Sequence, residues 1–521
     1  MITEKNPLPF ITGTICAHNC MSKCTRNFYE TPVHIREMKL KAAENGYEAL
    51  LEKLPVPAVT KAGKAAVIGG GPAGMAAAYF LRKGGMEVTL FEAKESLGGV
   101  VRHVIPPFRI SEDAIEKDAE ILRKMQVDIR CNTKVESLEE LKKQGYTKIV
   151  LAVGAPVQGS LKLESGMPKN ALEFLAEFKQ TDGKVSLGKH VVVIGGGNTA
   201  MDTARAAKRN AGVEHVYLIY RRTRRYMPAD EEELVMALED GVEFKELLSP
   251  VKLENGQLFC KVMQLSDYDV SGRRGVTETG ETVWVPADTV IAAVGEKVPT
   301  DWYQANGLAV SEKGRLYVDE KTLKTSDDNV YAAGDGLYGP ATVVEAIRDG
   351  RKVAEAIAGE VLARDFDKLA EEEKVYAKRG VLKEEQKETK EAGRCLGCST
   401  ICENCVEVCP NRANIAIQVP GMEKHQIIHV DYLCNECGNC KSFCPYSSAP
   451  YLDKFTLFET EADMENSKNQ GFAVLDQETR RCKVRFFGKT FIWEPEKPAA
   501  LPDGLGRMIE TVCRDYSYLI R

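Results

Sequence analysis

The chain has 521 residues, 44% hydrophobic and 28% charged, a length that allows about three or four domains with separate cores. Its net charge of -6, with Lys and Arg interspersed among Asp and Glu, excludes the basic surface of a nucleic-acid-binding protein. No apolar run reaches the length of a membrane span, and the amino terminus lacks signal-peptide features, so we expect a cytoplasmic protein without a membrane span.

Cysteines dominate the first segment, residues 1–59. Cys16, Cys20 and Cys24 precede a helical-looking stretch that ends at the Pro-rich break PVPAVTKAG. Twelve of the sixteen cysteines of the chain fall in three tight runs, of which this is the first. Such runs in a long, unexported protein favour metal ligation over disulfides, so we expect the helical amino-terminal segment to bind metal.

A strand-turn-helix pattern follows at KAAVIGGGPAGMAAAYFLRKGGMEVTLFEA, with its glycine loop at Gly69-x-Gly71-x-x-Gly74. The first glycine permits a tight turn, the second lets the backbone approach a pyrophosphate, and the third allows close helix-strand packing. Glu92 ends the second strand, where its carboxylate can accept hydrogen bonds from ribose hydroxyls. The pattern predicts a dinucleotide site, and a glycine-rich loop in an unrelated α/β protein is the alternative.

The same pattern returns at HVVVIGGGNTAMDTARAAKRNAGVEHVYLIYRR, so the chain contains two βαβ nucleotide-binding units in tandem. The loop has the GxGxxA form. Its candidate cofactor-binding residues are Gly195, Gly197, Asn198, Thr199 and Ala200.

The second strand of this unit ends in arginines instead of an acidic residue. Because a guanidinium can pair with a ribose 2'-phosphate, Arg221 and Arg222 favour NADPH over NADH. A solvated basic loop is the alternative for the RRTRR run. Residues 161–299 contain only Cys260, which argues against a dithiol mechanism in this domain.

Two further motifs, LGG with Gly99 and VYAAGD with Gly334 and Asp335, resemble the FAD signature of two-dinucleotide-domain flavoproteins. The resemblance implies that Asp335 contacts the ribityl-phosphate region of FAD. It also implies that Thr342 and Val343 begin a helix whose amino end faces the flavin ring. The FAD-binding domain is then discontinuous, residues 60–160 and 300–360, with a NAD(P)H-binding domain at 161–299 between its parts.

A charged helical linker, 361–394, leads to a second cysteine region, 395–450. The run Cys434-x2-Cys437-x2-Cys440-x3-Cys444-Pro445 is that of bacterial ferredoxins, whose fourth cysteine ligates the other cluster of a two-cluster module. Its partner is Cys398-x3-Cys402-x2-Cys405-x3-Cys409-Pro410. The crossover rule gives two 4Fe-4S ligand sets, which are Cys398, Cys402, Cys405 and Cys444, and Cys434, Cys437, Cys440 and Cys409.

Two points about these runs stay open. One inserted residue before Cys402 allows Cys395 to replace Cys398, and a zinc ribbon is the rival for any CxxC pair. If Cys395 is spare, it supplies a fourth thiolate beside Cys16, Cys20 and Cys24. Three arrangements of that trio remain open: a third cluster closed by Cys395, a cluster closed by a partner subunit, or no cluster.

Together with YRRTRRYMPADEEE and RCLGC, these motifs resemble the glutamate synthase small-subunit superfamily over residues from about 7 to 450. Within it, CSTICENCVEVCPNRANI most resembles the carboxy-terminal half of the YgfK-type proteins labelled as a selenate reductase subunit. The resemblance implies an α/β fold with two Rossmann-like domains, the small iron-sulfur segment and a carboxy-terminal two-cluster ferredoxin domain. Residues 451–521 form an extension of unknown role, with a strand-like CKVRFFGKTFIW.

The expected function is that of an NAD(P)H-dependent, FAD-containing iron-sulfur oxidoreductase. A nicotinamide transfers two electrons at once and each cluster accepts one, so the order NADPH, FAD, clusters, acceptor is required. No catalytic side chain for an organic substrate is evident, and the expected partner is a separate catalytic subunit of a hetero-oligomer or a soluble acceptor. The alternatives are a glutamate synthase small subunit and a redox sensor or scaffold without net turnover.

Overall fold

The computed structural model describes residues 2–22, 24–28, 31–159, 161–268, 274–359, 362, 391–395, 402–422, 425–444, 448–495 and 501–521. Cys398 and most of the predicted linker 361–394 lie outside these ranges. The chain forms two compact units, Met1–His18 with Arg36–Phe366, and Asn19–Ile35 with Asp367–Arg521. Across the described ranges, every helix is too short or too polar to cross a membrane.

The helices are α1 (Ile2–Lys5), α2 (Pro9–Ile15), α3 (Asn19–Ser22), α4 (Ile35–Lys53), α5 (Pro72–Lys83), α6 (Val100–His103), α7 (Glu112–Lys124), α8 (Leu138–Lys143), α9 (Ala171–Gln180), α10 (Asn198–Arg209), α11 (Glu231–Glu239), α12 (Thr300–Ala305), α13 (Asp335–Tyr338), α14 (Val343–Ala358), α15 (Asn404–Glu407), α16 (Asn439–Ser442), α17 (Pro450–Asp453), α18 (Glu461–Asn466) and α19 (Asp503–Asp515). Short 3-10 turns lie at Thr25–Phe28, Arg224–Tyr226, Ala392–Arg394, Asp431–Leu433 and Ser517–Leu519.

The strands are β1 (Lys64–Ile68), β2 (Glu87–Phe91), β3 (Asp128–Arg130), β4 (Tyr146–Leu151), β5 (Val157–Gln158), β6 (Lys169–Asn170), β7 (His190–Ile194), β8 (His215–Tyr220), β9 (Glu243–Glu246), β10 (Leu248–Glu254), β11 (Gln257–Tyr268), β12 (Arg274–Pro286), β13 (Thr289–Ala292), β14 (Glu296–Lys297), β15 (Val330–Ala332), β16 (Asn414–Ile417), β17 (Gln426–Val430), β18 (Thr456–Phe458), β19 (Gly471–Asp476), β20 (Arg481–Phe486) and β21 (Lys489–Trp493).

The first Rossmann domain is built on a parallel five-stranded sheet in the order β15-β4-β1-β2-β3. Its central strands are buried along almost their whole length, which explains why they are continuous apolar runs in the sequence. Strand β15 comes from the chain far beyond the other four. The chain therefore leaves this sheet after β4 and returns to complete it.

The second Rossmann domain lies between those two passages. Its parallel sheet has the order β6-β13-β7-β8-β9, and an antiparallel sheet β10-β11-β12 follows β9. The chain runs between the two domains along β5 and β14, which pair with each other as a two-stranded antiparallel ribbon. The predicted Rossmann-type α/β fold with parallel sheets is confirmed.

The second unit contains a six-stranded mixed sheet in the order β16-β17-β18-β19-β20-β21. The hairpin β16-β17 belongs to the cysteine region, whereas β18 to β21 belong to the predicted extension. One apolar core joins them, with Ile428, Phe472, Val484 and Ile509 all fully buried. The extension is thus continuous with the cysteine region in both sheet and core.

Candidate functional site

The first glycine loop joins β1 to α5 at Gly69, Gly71 and Gly74. Gly69 has a φ of +106°, which a side chain rarely tolerates. A Cβ on Gly74 would lie 1.9 Å from the carbonyl oxygen of Gly69, and a Cβ on Gly99 would lie 2.8 Å from the Cα of Gly71. These positions admit only glycine. The backbone at the amino end of α5 is therefore free of side chains, as close approach of a dinucleotide pyrophosphate requires.

Glu92 lies beside this loop at the end of β2. Its buried carboxylate accepts hydrogen bonds from the backbone N–H of Gly70 at 2.6 Å and from that of Lys94 at 2.8 Å. The first bond holds the loop against the end of β2. Each oxygen keeps a second lone pair, so the carboxylate remains an acceptor for ribose hydroxyls.

The VYAAGD motif lies against the same loop. Gly334 has a φ of +71°, and a Cβ there would come within 2.6 Å of the Cβ of Ala73 in the first turn of α5. Asp335 accepts a hydrogen bond from the N–H of Ala341 at 3.0 Å, and burial raises its pKa to about 6.

The helix α14 (Val343–Ala358) follows this motif after the short helix α13 (Asp335–Tyr338). Thr342 is its N-cap, and the hydroxyl of Thr342 and the carboxylate of Glu345 form a reciprocal capping box. Val343 is the first helical residue and is half-buried. The VYAAGD motif and α14 therefore lie against α5 beside the first glycine loop, and the contacts of Asp335, Thr342 and Val343 with FAD stay a prediction.

The second glycine loop has the same construction. A Cβ on Gly195 would lie 2.5 Å from the carbonyl oxygen of Ala293 and 3.0 Å from the Cβ of Ala200, which explains a small residue at the third position. The helix α10 begins at Asn198, whose amide oxygen accepts the N–H of Asp230 at 3.0 Å. Gly197 is the N-cap residue of α10.

The two predicted phosphate-binding arginines differ in their surroundings. Arg221 is exposed immediately after β8. The Nε of Arg222 donates a hydrogen bond to the carbonyl oxygen of Arg274 at 2.8 Å, and this side chain is half-buried. The next arginine, Arg224, is ion-paired with Glu231 at 3.0 Å. Arg221 is thus the better placed of the two predicted residues for an incoming phosphate.

Sequence reasoning missed Glu296. Its side chain is hydrogen-bonded to Thr199, in the first turn of α10, and interacts electrostatically with the carboxylate of Asp335. Burial, followed by the negative charge of Asp335, raises the pKa of Glu296. A carboxyl group therefore lies between the amino end of α10 and Asp335 of the VYAAGD motif. No motif marks it, because its position depends on β14 pairing with β5.

In the second unit, four of the predicted iron ligands surround one small cavity: Cys409, Cys434, Cys437 and Cys440. Backbone N–H groups donate to two of these sulfurs, from Ala413 to Cys409 at 3.2 Å and from Glu436 to Cys434 at 3.3 Å. Such donors favour a thiolate. Four cysteines and two N–H···S bonds at one cavity fit the ligand set of a 4Fe-4S cluster.

The second predicted ligand set is described only in part. Cys402 and Cys444 are half-buried, Cys405 is buried with its pKa raised to about 11, and Cys398 lies outside the described residues. Within the described ranges, no three His, Cys, Asp or Glu side chains converge on the position of a single metal ion. A cluster does not require such convergence, because each of its thiolates binds a different iron.

The segment after Cys24 is joined to the segment before Cys395 within the second unit. Arg26 is fully buried, and its Nε donates to the carbonyl oxygen of Arg394 at 2.8 Å. Glu391 accepts bonds from the N–H of His34 at 2.9 Å and from Arg394 at 2.7 Å. Cys20 and Cys395 are exposed and Cys24 is half-buried, whereas Cys16 belongs to the first unit.

The sequence profile of the pyridine nucleotide-disulphide oxidoreductase family matches residues 63–350, which include both glycine loops and the VYAAGD motif. The chain belongs to this family. It is therefore an NAD(P)H-dependent oxidoreductase and a flavoprotein that uses FAD and NADP.

Sequence comparison also shows which known proteins the chain is similar to. The oxidoreductase YgfK of Escherichia coli (strain K12) is 39% identical over 506 residues, 93% of this chain and 48% of YgfK. The glutamate synthase [NADPH] small chain of the same organism is 33% identical over 388 residues, 68% of this chain and 81% of that protein. The NADPH-Fe(3+) oxidoreductase subunit beta of Geobacter sulfurreducens (strain DL-1 / KN400) is 34% identical over 398 residues, 68% of this chain and 58% of that subunit.

These similarities confirm the resemblance to the glutamate synthase small-subunit superfamily and to YgfK-type proteins. The chain spans about half the length of YgfK.

Proposed function

We propose that this chain is the electron-transfer subunit of a larger oxidoreductase, in which NADPH reduces FAD and the electrons pass through 4Fe-4S clusters to a separate catalytic partner. The single observation that carries the proposal is the cavity lined by Cys409, Cys434, Cys437 and Cys440 on the same chain as two dinucleotide loops. The names of two relatives, a subunit beta and a small chain, support assembly with a partner.

Each cofactor has a proposed place. FAD occupies the first Rossmann domain, residues 60–160 and 300–360, with its pyrophosphate at the amino end of α5. NADPH occupies the second, residues 161–299, with its pyrophosphate at the amino end of α10 and its 2'-phosphate at Arg221. When bound, the flavin supplies the exchange between two-electron and one-electron transfer that neither NADPH nor a cluster performs alone.

The residues of the chain support this role by position. The glycine loops remove side chains from the paths of the two pyrophosphates, and Glu92 fixes the first loop. In the second unit the N–H groups of Ala413 and Glu436 stabilise negative charge on Cys409 and Cys434. Residues 395–450 then form the ferredoxin-like domain, and residues 451–521 extend its sheet.

The test is to measure iron, acid-labile sulfide and FAD in anaerobically purified protein and then to titrate it with NADPH under EPR. We expect about eight or about twelve irons per FAD, for two or three clusters, and cluster signals that grow as NADPH is added. Cys409→Ser should lose about four irons while retaining FAD. The matched control is Cys260→Ser, since Cys260 is a buried cysteine of the second Rossmann domain and should leave the iron content unchanged.

Two results would overturn the proposal. Flavin bleaching by NADPH without any cluster signal would show that electrons do not pass from FAD to 4Fe-4S clusters. Iron content unaffected by Cys409→Ser would remove this cavity as a cluster site. A redox sensor without net turnover predicts that NADPH reduces the cofactors once but does not sustain reduction of an added one-electron dye.

A further inference from the structure

The loop between α6 and α7, residues 104–110, belongs by sequence to the first Rossmann domain but packs against the second. Val104 is buried in the apolar core of the second domain, which also contains Phe174 and Met201, and the half-buried Phe108 packs against that core. Ile110, two residues after Phe108, is buried in the core of the first domain. The loop therefore inserts into both cores, and no motif in the sequence indicates this.

Polar contacts hold the inserted loop in place. Arg109 bonds to Asp202 of α10 at 2.9 Å and also to Glu233 of α11, and all three side chains are nearly buried. The guanidinium groups of Arg205 and Arg209 lie 5.1 and 4.3 Å from the centre of the Phe108 ring. Both arginines belong to α10, so the neighbouring residues Phe108 and Arg109 both contact this helix.

The contact between Arg109 and α10 lies close to the second glycine loop. Asp202 lies about one turn after the second glycine loop, so Arg109 holds the helix at whose amino end NADPH is proposed to bind. The chain itself passes between the two domains only along the short ribbon of β5 and β14. A two-stranded ribbon permits rotation, whereas a buried ion pair between domains opposes it.

We propose that residues 104–110 form an interdomain clamp, in which Arg109 is a positioning residue. Its bonds to Asp202 and Glu233 keep the second Rossmann domain in the orientation from which NADPH transfers hydride to FAD. The inference rests on the proposed cofactor assignment. Arg109 itself touches neither cofactor in this assignment and acts through α10 and α11.

Anaerobic stopped-flow mixing with NADPH tests the clamp through the limiting rate of flavin bleaching. Arg109→Gln should lower this rate about tenfold or more, because small misplacement of reacting groups costs large factors in rate. The Kd for NADPH should change less than about threefold, since the binding loop is intact. Arg109→Lys should recover part of the rate, and the charge-transfer absorbance between flavin and nicotinamide should weaken in Arg109→Gln.

The matched control is Arg123→Gln, which removes the same charge from α7 of the first domain. Arg123 pairs with Glu116 and Glu120 of its own helix, so its loss should leave the rate unchanged. Adding Asp202→Asn to Arg109→Gln should cause little further loss, because both changes break one contact. FAD content per chain identifies any variant that fails to fold.

Each outcome bears on one proposal only. A limiting rate in Arg109→Gln equal to that of Arg123→Gln, in protein that retains FAD, would overturn the clamp. So would additive losses from Arg109→Gln and Asp202→Asn. If the unmodified protein binds FAD but NADPH does not bleach it, the proposed function fails instead.

Discussion

Arg221 is the residue on which the preference for NADPH is expected to depend. It is exposed at the end of β8, whereas Arg222 is bonded to a backbone carbonyl and Arg224 to Glu231. A charge-assisted hydrogen bond contributes about 1.5–3 kcal/mol, so Arg221→Ala should raise the KM for NADPH by about tenfold to a hundredfold. The KM for NADH, which lacks the 2'-phosphate, should stay within about twofold.

Arg224→Ala is the control, because it removes the same charge from the same loop. Steady-state dye reduction with both nucleotides measures the six KM values needed, two each for the wild type and the two variants. Equal effects of Arg221→Ala on NADPH and NADH would show that the arginine run is only a solvated basic loop.

Glu296, which lies near Thr199 of α10 and near Asp335, is expected to make NADPH binding depend on pH. Its pKa is raised by burial and then by Asp335, so it ionises above the ordinary range of a glutamate. Ionisation places a negative charge beside the proposed NADPH site at α10 and opposes the binding of this anionic nucleotide. We expect the Kd for NADPH to rise as the pH increases through this raised pKa, and Glu296→Gln should flatten that rise.

Fluorescence titration with NADPH across the pH range measures the Kd, with Glu254→Gln as the control. Glu254 is a half-buried residue of the same domain whose pKa is lowered by its hydrogen bond to Lys252, so it is already ionised over that range. If Glu296→Gln leaves the pH dependence of the Kd for NADPH unchanged, the ionisation of Glu296 does not affect NADPH binding.

Residue positions were predictable where a local rule fixes them. Gly69, Gly74 and Gly195 lie where a Cβ would collide with backbone, and their spacing alone revealed both loops. Glu296 and Arg109 were not predictable, because their roles depend on contacts between segments far apart in the chain. The local sequence pattern therefore predicted the two glycine loops but not the contacts that Glu296 and Arg109 make with distant segments.

At the scale of elements, the short helix α2 shows how the amino-terminal segment is held. Asp118 of α7 is completely buried and accepts the N–H groups of Phe10 at 3.1 Å and Ile11 at 2.8 Å. These are donors in the first turn of α2 that have no partner within the helix. Phe10 and Asp118 are 108 residues apart, so no local sequence pattern predicts this contact.

Burial raises the pKa of Asp118 from its ordinary value of 3.8 to about 8. A folded-state pKa above the unfolded value means that the native state binds more protons, so stability from this group falls as the pH rises through about 8. The thermal midpoint of the wild type should therefore fall relative to that of Asp118→Asn between about pH 5 and about pH 9.

Differential scanning fluorimetry at constant ionic strength measures this difference. Asp113→Asn, an exposed change on the same helix, is the control and should follow the wild type. A constant difference between wild type and Asp118→Asn across this range would show that Asp118 does not titrate there.

At the scale of the whole molecule, the two Rossmann domains were predictable because each carries its own complete local pattern. The second unit was not, because its sheet joins a hairpin of the cysteine region to four strands from beyond residue 450. Only the strand-like CKVRFFGKTFIW indicated part of it, and that segment forms β20 and β21. Shared core residues such as Ile428 and Phe472 predict that the cysteine region does not fold without the extension.

The number of 4Fe-4S clusters in the chain can be tested by substituting Cys395. Buried Arg26, through its bond to Arg394, holds the segment that follows Cys24 to the turn that ends at Cys395. This contact favours the arrangement in which Cys395 supplies the fourth thiolate to the amino-terminal cysteines, rather than the one in which it replaces Cys398. Cys395→Ser should therefore lower the iron content from about twelve to about eight per FAD and leave NADPH-dependent flavin bleaching intact.

Cys513→Ser is the control, since this cysteine is buried in the core of the second unit and is not a predicted ligand. If the wild type already contains about eight irons and Cys395→Ser also contains about eight, the amino-terminal cysteines hold no cluster in the isolated chain. If Cys395→Ser instead falls from about eight to about four, Cys395 replaces Cys398 in the ferredoxin region. Iron analysis of the two variants beside the wild type thus distinguishes closure of a third cluster by Cys395 from replacement of Cys398 by Cys395. It distinguishes both from the two remaining arrangements, closure by a partner subunit and no cluster, which predict the same values for the isolated chain.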